Sequence, residues 1–142
     1  MLKVGIAGYG VVGKRRRGYI DDHPNMQTVA ICDQNYPDPI LLEDGIKAFA
    51  RYEQLLEEQL DVLFVSLPNY LSPEVTIAGL EKGLHVFCEK PPAKNVNEIK
   101  KVIQTSKKFP HVKIKYGFNH RYHSSVKLAK KIIKSKKYGE IL

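Results

Sequence analysis

The chain has 142 residues, 43% of them apolar, which is enough for one domain with a buried core. Its formal charge is +8, from 23 Lys and Arg against 15 Asp and Glu, a balance that suits phosphate-bearing ligands. No apolar run approaches a membrane span, the first residues read as a strand rather than a secretory signal, and the two cysteines, Cys32 and Cys88, read as buried reduced thiols, so a cytoplasmic setting is expected.

Residues 2–7 form the first expected strand. They run into Gly8-Tyr9-Gly10-Val11-Val12-Gly13, and a helix is expected over residues 11–22, ending before His23-Pro24-Asn25. Residues 28–32 read as the second strand, and Asp33 closes it twenty residues after Gly13. A strand, G-x-G-x-x-G, a helix and then a carboxylate make up the dinucleotide-binding fingerprint. Gly8 permits the tight turn out of the strand, Gly10 lets the backbone approach a pyrophosphate, and Gly13 lets the helix pack closely on the sheet. Tyr9, Val11 and Val12 complete the cradle. The unpaired N–H groups and positive dipole end of the helix face the phosphates. Asp33 is expected to accept hydrogen bonds from the adenosine ribose hydroxyls. The competing reading is a turn residue that bonds locally. Gln34, Asn35 and Tyr36 follow it and offer no base for a 2′-phosphate, so NAD is expected over NADP. Of Arg15, Arg16 and Arg17, at least two are expected as solvated helix surface, with one in reach of the pyrophosphate.

A turn-rich stretch is expected over residues 33–38 and a short third strand over 46–49. Residues 52–59 read as a helix. Residues 62–65, Val-Leu-Phe-Val, are a continuous apolar run, as in a central parallel strand covered on both faces. Pro68-Asn69 breaks the chain. Ser72 is expected as an N-cap with Pro73 in the first helical position, and Gly83 as the C-terminal stop. Residues 85–88 form the fifth strand. Asn95 or Asn97 caps a helix to about residue 108, residues 112–118 alternate as the sixth strand, and a last helix runs over 122–136 and stops at Gly139. Six strands with helical crossovers predict a doubly wound parallel α/β sheet, the Rossmann class. Such sheets gather their ligands at the carboxyl ends of the strands. No metal site is expected. The last helix places Val126, Ala129 and Ile133 on one face and lysines on the other. Those lysines read as a solvated surface rather than a nucleic-acid patch, and no nucleic-acid or membrane partner is expected.

After the fifth strand comes Glu89-Lys90-Pro91. Pro91 biases Lys90 toward extended backbone and holds it at the mouth of the crevice. An ammonium there can donate to a substrate hydroxyl or to the nicotinamide ribose, and a lysine in a cleft can exchange protons. The glycine fingerprint, Leu67-Pro68-Asn69, the run from Ala78 to Val86, Glu89-Lys90-Pro91 and Gly117-Phe118-Asn119-His120-Arg121-Tyr122 together resemble one pattern. It is that of the nucleotide-binding half of the glucose–fructose oxidoreductase, inositol dehydrogenase and rhizopine-catabolism (Gfo/Idh/MocA) family. The resemblance implies a catalytic Lys90 that touches both cofactor and substrate. It implies cofactor contacts from Pro68, Asn69, Glu89 and Asn119, and a substrate-side Arg121. It further implies hydride transfer between a nicotinamide and a hydroxyl carbon of a sugar or cyclitol, in a homo-oligomer.

Members of that family are more than twice this long. Their acid/base pair, Asp and His four residues apart, lies in a second domain, and this sequence has no aspartate after Asp61. The chain is therefore expected to be the dinucleotide-binding part, residues 1–120, plus a linking helix over 121–142 that leads toward an absent substrate domain. It is expected to bind NAD with little or no turnover alone, and its last helix to expose apolar side chains that promote self-association. The rival reading is a free-standing NAD sensor without catalysis, which would keep the glycines and Asp33 and have no need of Lys90.

Overall fold

The computed structural model describes residues 1–37 and 39–140. In chain order the elements are β1 (Leu2–Ala7), α1 (Val11–Asp21), β2 (Met26–Cys32), β3 (Ile40–Leu41), β4 (Lys47–Phe49), α2 (Tyr52–Leu55), β5 (Val62–Val65), α3 (Ser72–Glu81), β6 (His85–Cys88), α4 (Val96–Lys108), β7 (Ile114–Tyr116), a single 3₁₀ turn (Asn119–Tyr122) and α5 (Ser124–Ser135). Among the described residues the strands form one sheet in the order β3-β4-β2-β1-β5-β6-β7. Every pairing is parallel except β3 with β4. From β1 the chain builds outward through β2 and β4, then returns and builds the other way through β5, β6 and β7. The reversal lies between β1 and β5, and the crevice of a doubly wound sheet opens at the carboxyl ends of such a pair.

Both faces of the sheet are covered, which is why β5 is apolar without alternation. One buried cluster joins Val4, Ile6, Ile31 and Ala48 to Ile20 of α1. The other joins Leu63, Val65 and Val86 to Val75 and Leu80 of α3 and Val102 of α4. Asn95 caps α4: its side chain accepts the Glu98 amide at 3.0 Å, while a Glu98 carboxylate oxygen accepts the Lys94 amide at 2.9 Å. Gly83 follows α3 with φ +76°, the left-handed stop expected there. Cys32 and Cys88 are free and buried.

Four local expectations change. A seventh strand, β3, pairs antiparallel with β4 through a hairpin whose Gly45 has φ +81°. It is two residues long and lies at the sheet edge, too short to leave a periodic signal. The helix expected over 52–59 is the single turn α2, because the chain must turn back to enter β5. Ser72 does not cap α3. Leu71 occupies that position, and the buried Ser72 hydroxyl donates toward the Leu67 and Pro68 carbonyls, both at 3.1 Å. The last helix is split, with the 3₁₀ turn ahead of α5, and α5 ends on Lys136 with φ +52°. Asp38 of the expected turn, and Ile141 and Leu142 of the linking segment, lie outside the described residues.

Candidate functional site

The carboxyl edge of the sheet is stitched strand to strand one residue beyond the formal strands. The Gly8 amide donates to Cys32 O at 2.9 Å, Asp33 to Phe49 O at 3.0 Å, Ser66 to Ala7 O at 2.7 Å, Glu89 to Val65 O at 2.9 Å and Gly117 to Cys88 O at 2.9 Å. Each bond fixes the first residue of a loop. Five loops distant in sequence thereby form one rim.

The glycine loop supplies its centre. Gly8 has φ +89°, and a side chain there would lie 2.5 Å from the Ser66 carbonyl oxygen. A side chain at Gly13 would overlap the Gly8 carbonyl oxygen. Gly10 differs: nothing stands within 4 Å of where its Cβ would be, so that direction is open. Gly10 is the N-cap of α1, and no side chain caps the helix. The first turn of α1 also carries no acidic residue. Its leading N–H groups therefore present an uncompensated positive end. Val11 and Val12 are exposed beside it.

A cleft of about 480 Å³ runs from Gly8 and Gly10 past Asp33 to Arg51 and Tyr52. Asp33 is pinned on its wall. One carboxylate oxygen accepts the Tyr9 amide at 2.9 Å, and the other accepts the Asn35 side-chain amide at 2.7 Å and its backbone amide at 3.1 Å. The second oxygen has both lone pairs taken, and the first, Oδ2, keeps one lone-pair direction for a further donor. The local turn bonding and the ribose role of Asp33 are thus compatible. Pro68 lines this cleft, with Asn69 half-buried beside it.

On the other side of the glycine loop a second cleft, of about 270 Å³, is lined by Val12, Arg15, Ser66, Glu89, Lys90 and Asn119. A third, of about 380 Å³, is lined by Lys90, Phe118, Asn119, His120 and Arg121. Lys90 and Asn119 thus stand between the two. Among the described residues the Lys90 ammonium has no ion-pair or hydrogen-bond partner. The Lys90–Pro91 peptide is cis. Glu89 turns onto α1, where one oxygen accepts Arg16 Nε at 2.6 Å and also meets Nη2. His120 and His123 stack at 4.8 Å between ring centroids. Among the described residues no three His, Cys, Asp or Glu groups are placed to hold a metal ion.

Arg16 and Arg17 are more than solvated surface. Arg16 pairs with Glu89 and lies 5.1 Å over the Phe87 ring. Arg17 pairs with Asp21 and Asp44 and donates to the Tyr9 hydroxyl at 2.9 Å. Only Arg15 is left exposed on the second cleft. Both pairings follow from α1 lying across the sheet, a contact that helical periodicity does not reveal.

Two site features escape the sequence reading. Arg51, Tyr52 and Glu53 wall the Asp33 cleft opposite the glycine loop. Applying the strand-end rule to β4 would have found them, since they follow its carboxyl end. The Ser66 hydroxyl is buried without a partner among the described residues, and Ser66 lines both the first and the second cleft. An orphaned buried hydroxyl at that junction is what a bound ligand would satisfy.

The open direction at Gly10, the uncapped helix start, the pinned carboxylate of Asp33 and the orphaned Ser66 hydroxyl all fit a dinucleotide laid across the switch point. Fold and site together define a dinucleotide-binding Rossmann domain. Comparison with known proteins agrees: the model of the Gfo/Idh/MocA oxidoreductase family, NAD-binding Rossmann fold, matches residues 2–117, and the chain belongs to that family. It is 30% identical over its whole length to glucose-6-phosphate 3-dehydrogenase of Bacillus subtilis, covering 41% of that protein. It superposes on myo-inositol 2-dehydrogenase of Lactobacillus plantarum with a TM-score of 0.84 and 28% identity, covering 99% of this chain and 43% of that one. The fold is also that of scyllo-inositol dehydrogenase from Lactobacillus casei, solved with NAD(H) and scyllo-inositol, at a TM-score of 0.83 and 21% identity over 96% of this chain and 42% of that one. The chain thus spans about two fifths of the length of the relatives it matches.

Proposed function

We propose that the chain is the NAD-binding half of a dehydrogenase that moves a hydride between a nicotinamide and a hydroxyl carbon of a sugar or cyclitol. The observation that carries this reading is the position of Lys90, unpaired, between the cleft beside the glycine loop and the cleft lined by His120 and Arg121. When bound, NAD supplies the hydride-accepting carbon, and the protein supplies binding, orientation and proton handling.

The leading amides of α1 hold the pyrophosphate, with Gly10 giving the close approach. Tyr9 and Asn35 hold the Asp33 carboxylate so that the remaining lone pair of Oδ2 meets an adenosine ribose hydroxyl. Pro68 and Asn69 line the path toward the nicotinamide. Asn119 faces the same end from the β7 side. The Lys90 ammonium would donate to the reacting hydroxyl oxygen and lower the cost of the negative charge that oxygen gains as its proton passes to a base supplied by the second domain. Arg121 orients the substrate from the hinge side.

Residues 1–120 form the cofactor domain, and residues 121–142 lead toward a second domain that completes the substrate pocket. The 142 residues alone bind NAD without turning over substrate. The complete protein works as a cytoplasmic homo-oligomer without a nucleic-acid partner.

The test is Lys90→Ala in the longest natural form of the chain, assayed by NAD reduction with myo-inositol and with glucose 6-phosphate. The expected result is a loss of roughly a hundredfold or more in rate, far beyond any loss of NADH affinity, which should stay within about tenfold. An unchanged rate removes the catalytic role of Lys90 and favours a cofactor-sensing module.

A further inference from the structure

The Glu-Lys-Pro turn is held from an unexpected side. Glu89 and Lys90 are the two residues that follow β6. Glu89 points toward α1, and its side chain is 12% exposed. A carboxylate so covered needs a partner. Arg16, 73 positions earlier, provides it: Nε and Nη2 converge on the one oxygen Oε1. The Arg16 guanidinium, itself stacked over Phe87, is thereby held between β6 and the Glu-Lys-Pro turn. The other carboxylate oxygen lies against Gly117, where a Cβ would approach Oε2 to 2.7 Å. A side chain at position 117 would displace the Glu89 carboxylate from this place.

This contact joins α1, the end of β6 and the end of β7. The helix that receives the phosphates and the turn that carries Lys90 are tied by a charge-assisted pair rather than by backbone alone. The pair also keeps Glu89 occupied, so that it does not draw the Lys90 ammonium out of the cleft.

We propose that Arg16 is a positioning residue. Through Glu89, and in the space left by Gly117, it anchors the Lys90 turn to the phosphate-binding helix and sets the nicotinamide end of the site. The proposal rests on the dinucleotide reading above. It predicts an effect confined to one half of the ligand, since the adenosine cleft is built from Asp33, Arg51 and Tyr52 and has no part in the clamp.

The experiment compares NADH with ADP-ribose, which lacks the nicotinamide, by calorimetry on the 142-residue chain, and follows hydrogen exchange at the three amides of residues 89–93, those of Glu89, Lys90 and Ala93. Three variants serve: Arg16→Leu, Glu89→Gln, and Gly117→Ala, which displaces the flexible end of Glu89 without altering charge. In Arg16→Leu and Gly117→Ala, NADH affinity is expected to fall roughly five- to tenfold while ADP-ribose affinity stays within about twofold. Exchange at 89–93 should rise while the β1 and β5 amides stay protected. The Arg16→Leu and Glu89→Gln losses should be strongly non-additive when combined. Equal losses for the two ligands, additive losses, or unchanged exchange at 89–93 would each overturn the proposal. A wild-type chain that binds neither ligand would sink the dinucleotide reading and the ligand-half claim with it. The exchange comparison would still decide whether Arg16 anchors the turn.

Discussion

Asp33 Oδ2 accepts the backbone amide of Tyr9 at 2.9 Å, so the carboxylate that ends β2 is fastened to the middle of the glycine loop. The two halves of the fingerprint are one hydrogen-bonded unit. Across the same cleft stands Arg51, a cation that lines it from the β4 side. Removing the carboxylate leaves Glu53 as the acid that lines the cleft with this cation. Asp33→Ala is expected to weaken NAD binding roughly tenfold, through lost hydroxyl acceptors and a loosened loop, and to narrow or reverse the preference over NADP. Titration of both cofactors against the variant checks this. An unchanged ratio would remove Asp33 as the selectivity determinant.

The loop glycines separate into two kinds. At Gly13 an added methyl would overlap the Gly8 carbonyl oxygen, a backbone atom that cannot step aside. Gly13→Ala should cost about 3 kcal/mol or more of folding stability in urea unfolding. At Gly10 an added methyl meets nothing within 4 Å. Gly10→Ala should stay within about 1 kcal/mol in stability and yet lose most NAD affinity, because its methyl enters the space reserved for the pyrophosphate.

Alkali should weaken the fold before acid chemistry matters to these groups. Burial pushes the Cys32 thiol from 9.0 up to about 12. The bond donated to Glu74 pushes Tyr52 from 10.0 up to about 12, and burial does the same for Tyr116. Each group holds its proton more tightly folded than unfolded. Its contribution is complete below the unfolded value and is lost as pH rises toward about 12. Denaturation midpoints should therefore fall progressively above about pH 9. At pH 8.5 native Cys32 should resist iodoacetamide and become reactive on unfolding. Rapid native alkylation of Cys32 would contradict its burial.

None of the residues of α5 is buried, and Leu128 (59%), Ile132 (41%) and Ile133 (49%) are broadly exposed. A helix with an apolar stripe and no partner favours association. Sedimentation of the 142-residue chain should show concentration-dependent self-association. The double change Leu128→Lys and Ile132→Lys should reduce it while leaving the thermal midpoint within about 2 °C, because the helix adds nothing to the core. A strictly monomeric chain at high concentration would count against this.

The sequence by itself determined six of the seven strands, the glycine loop, Asp33 as its acidic partner and Lys90 at a strand end. Those features are local: strand periodicity, glycine sterics and proline bias act within a few residues. The short elements were less legible. The two-residue β3 and the one-turn α2 carry too few positions for a pattern, and the Ser72 hydroxyl chose two carbonyls that only the folded loop brings near. What only the tertiary structure decided is who meets whom at the rim. Arg16 meets Glu89 across 73 residues, Arg51 comes to face the cleft of Asp33, and the Ser66 hydroxyl is left buried and unpaired between two clefts. The physical reason is the sheet order. Parallel strands joined by crossovers bring carboxyl ends together that are far apart in the chain. The pairings there depend on how α1 lies on the sheet and on which side chains are missing, as at Gly117.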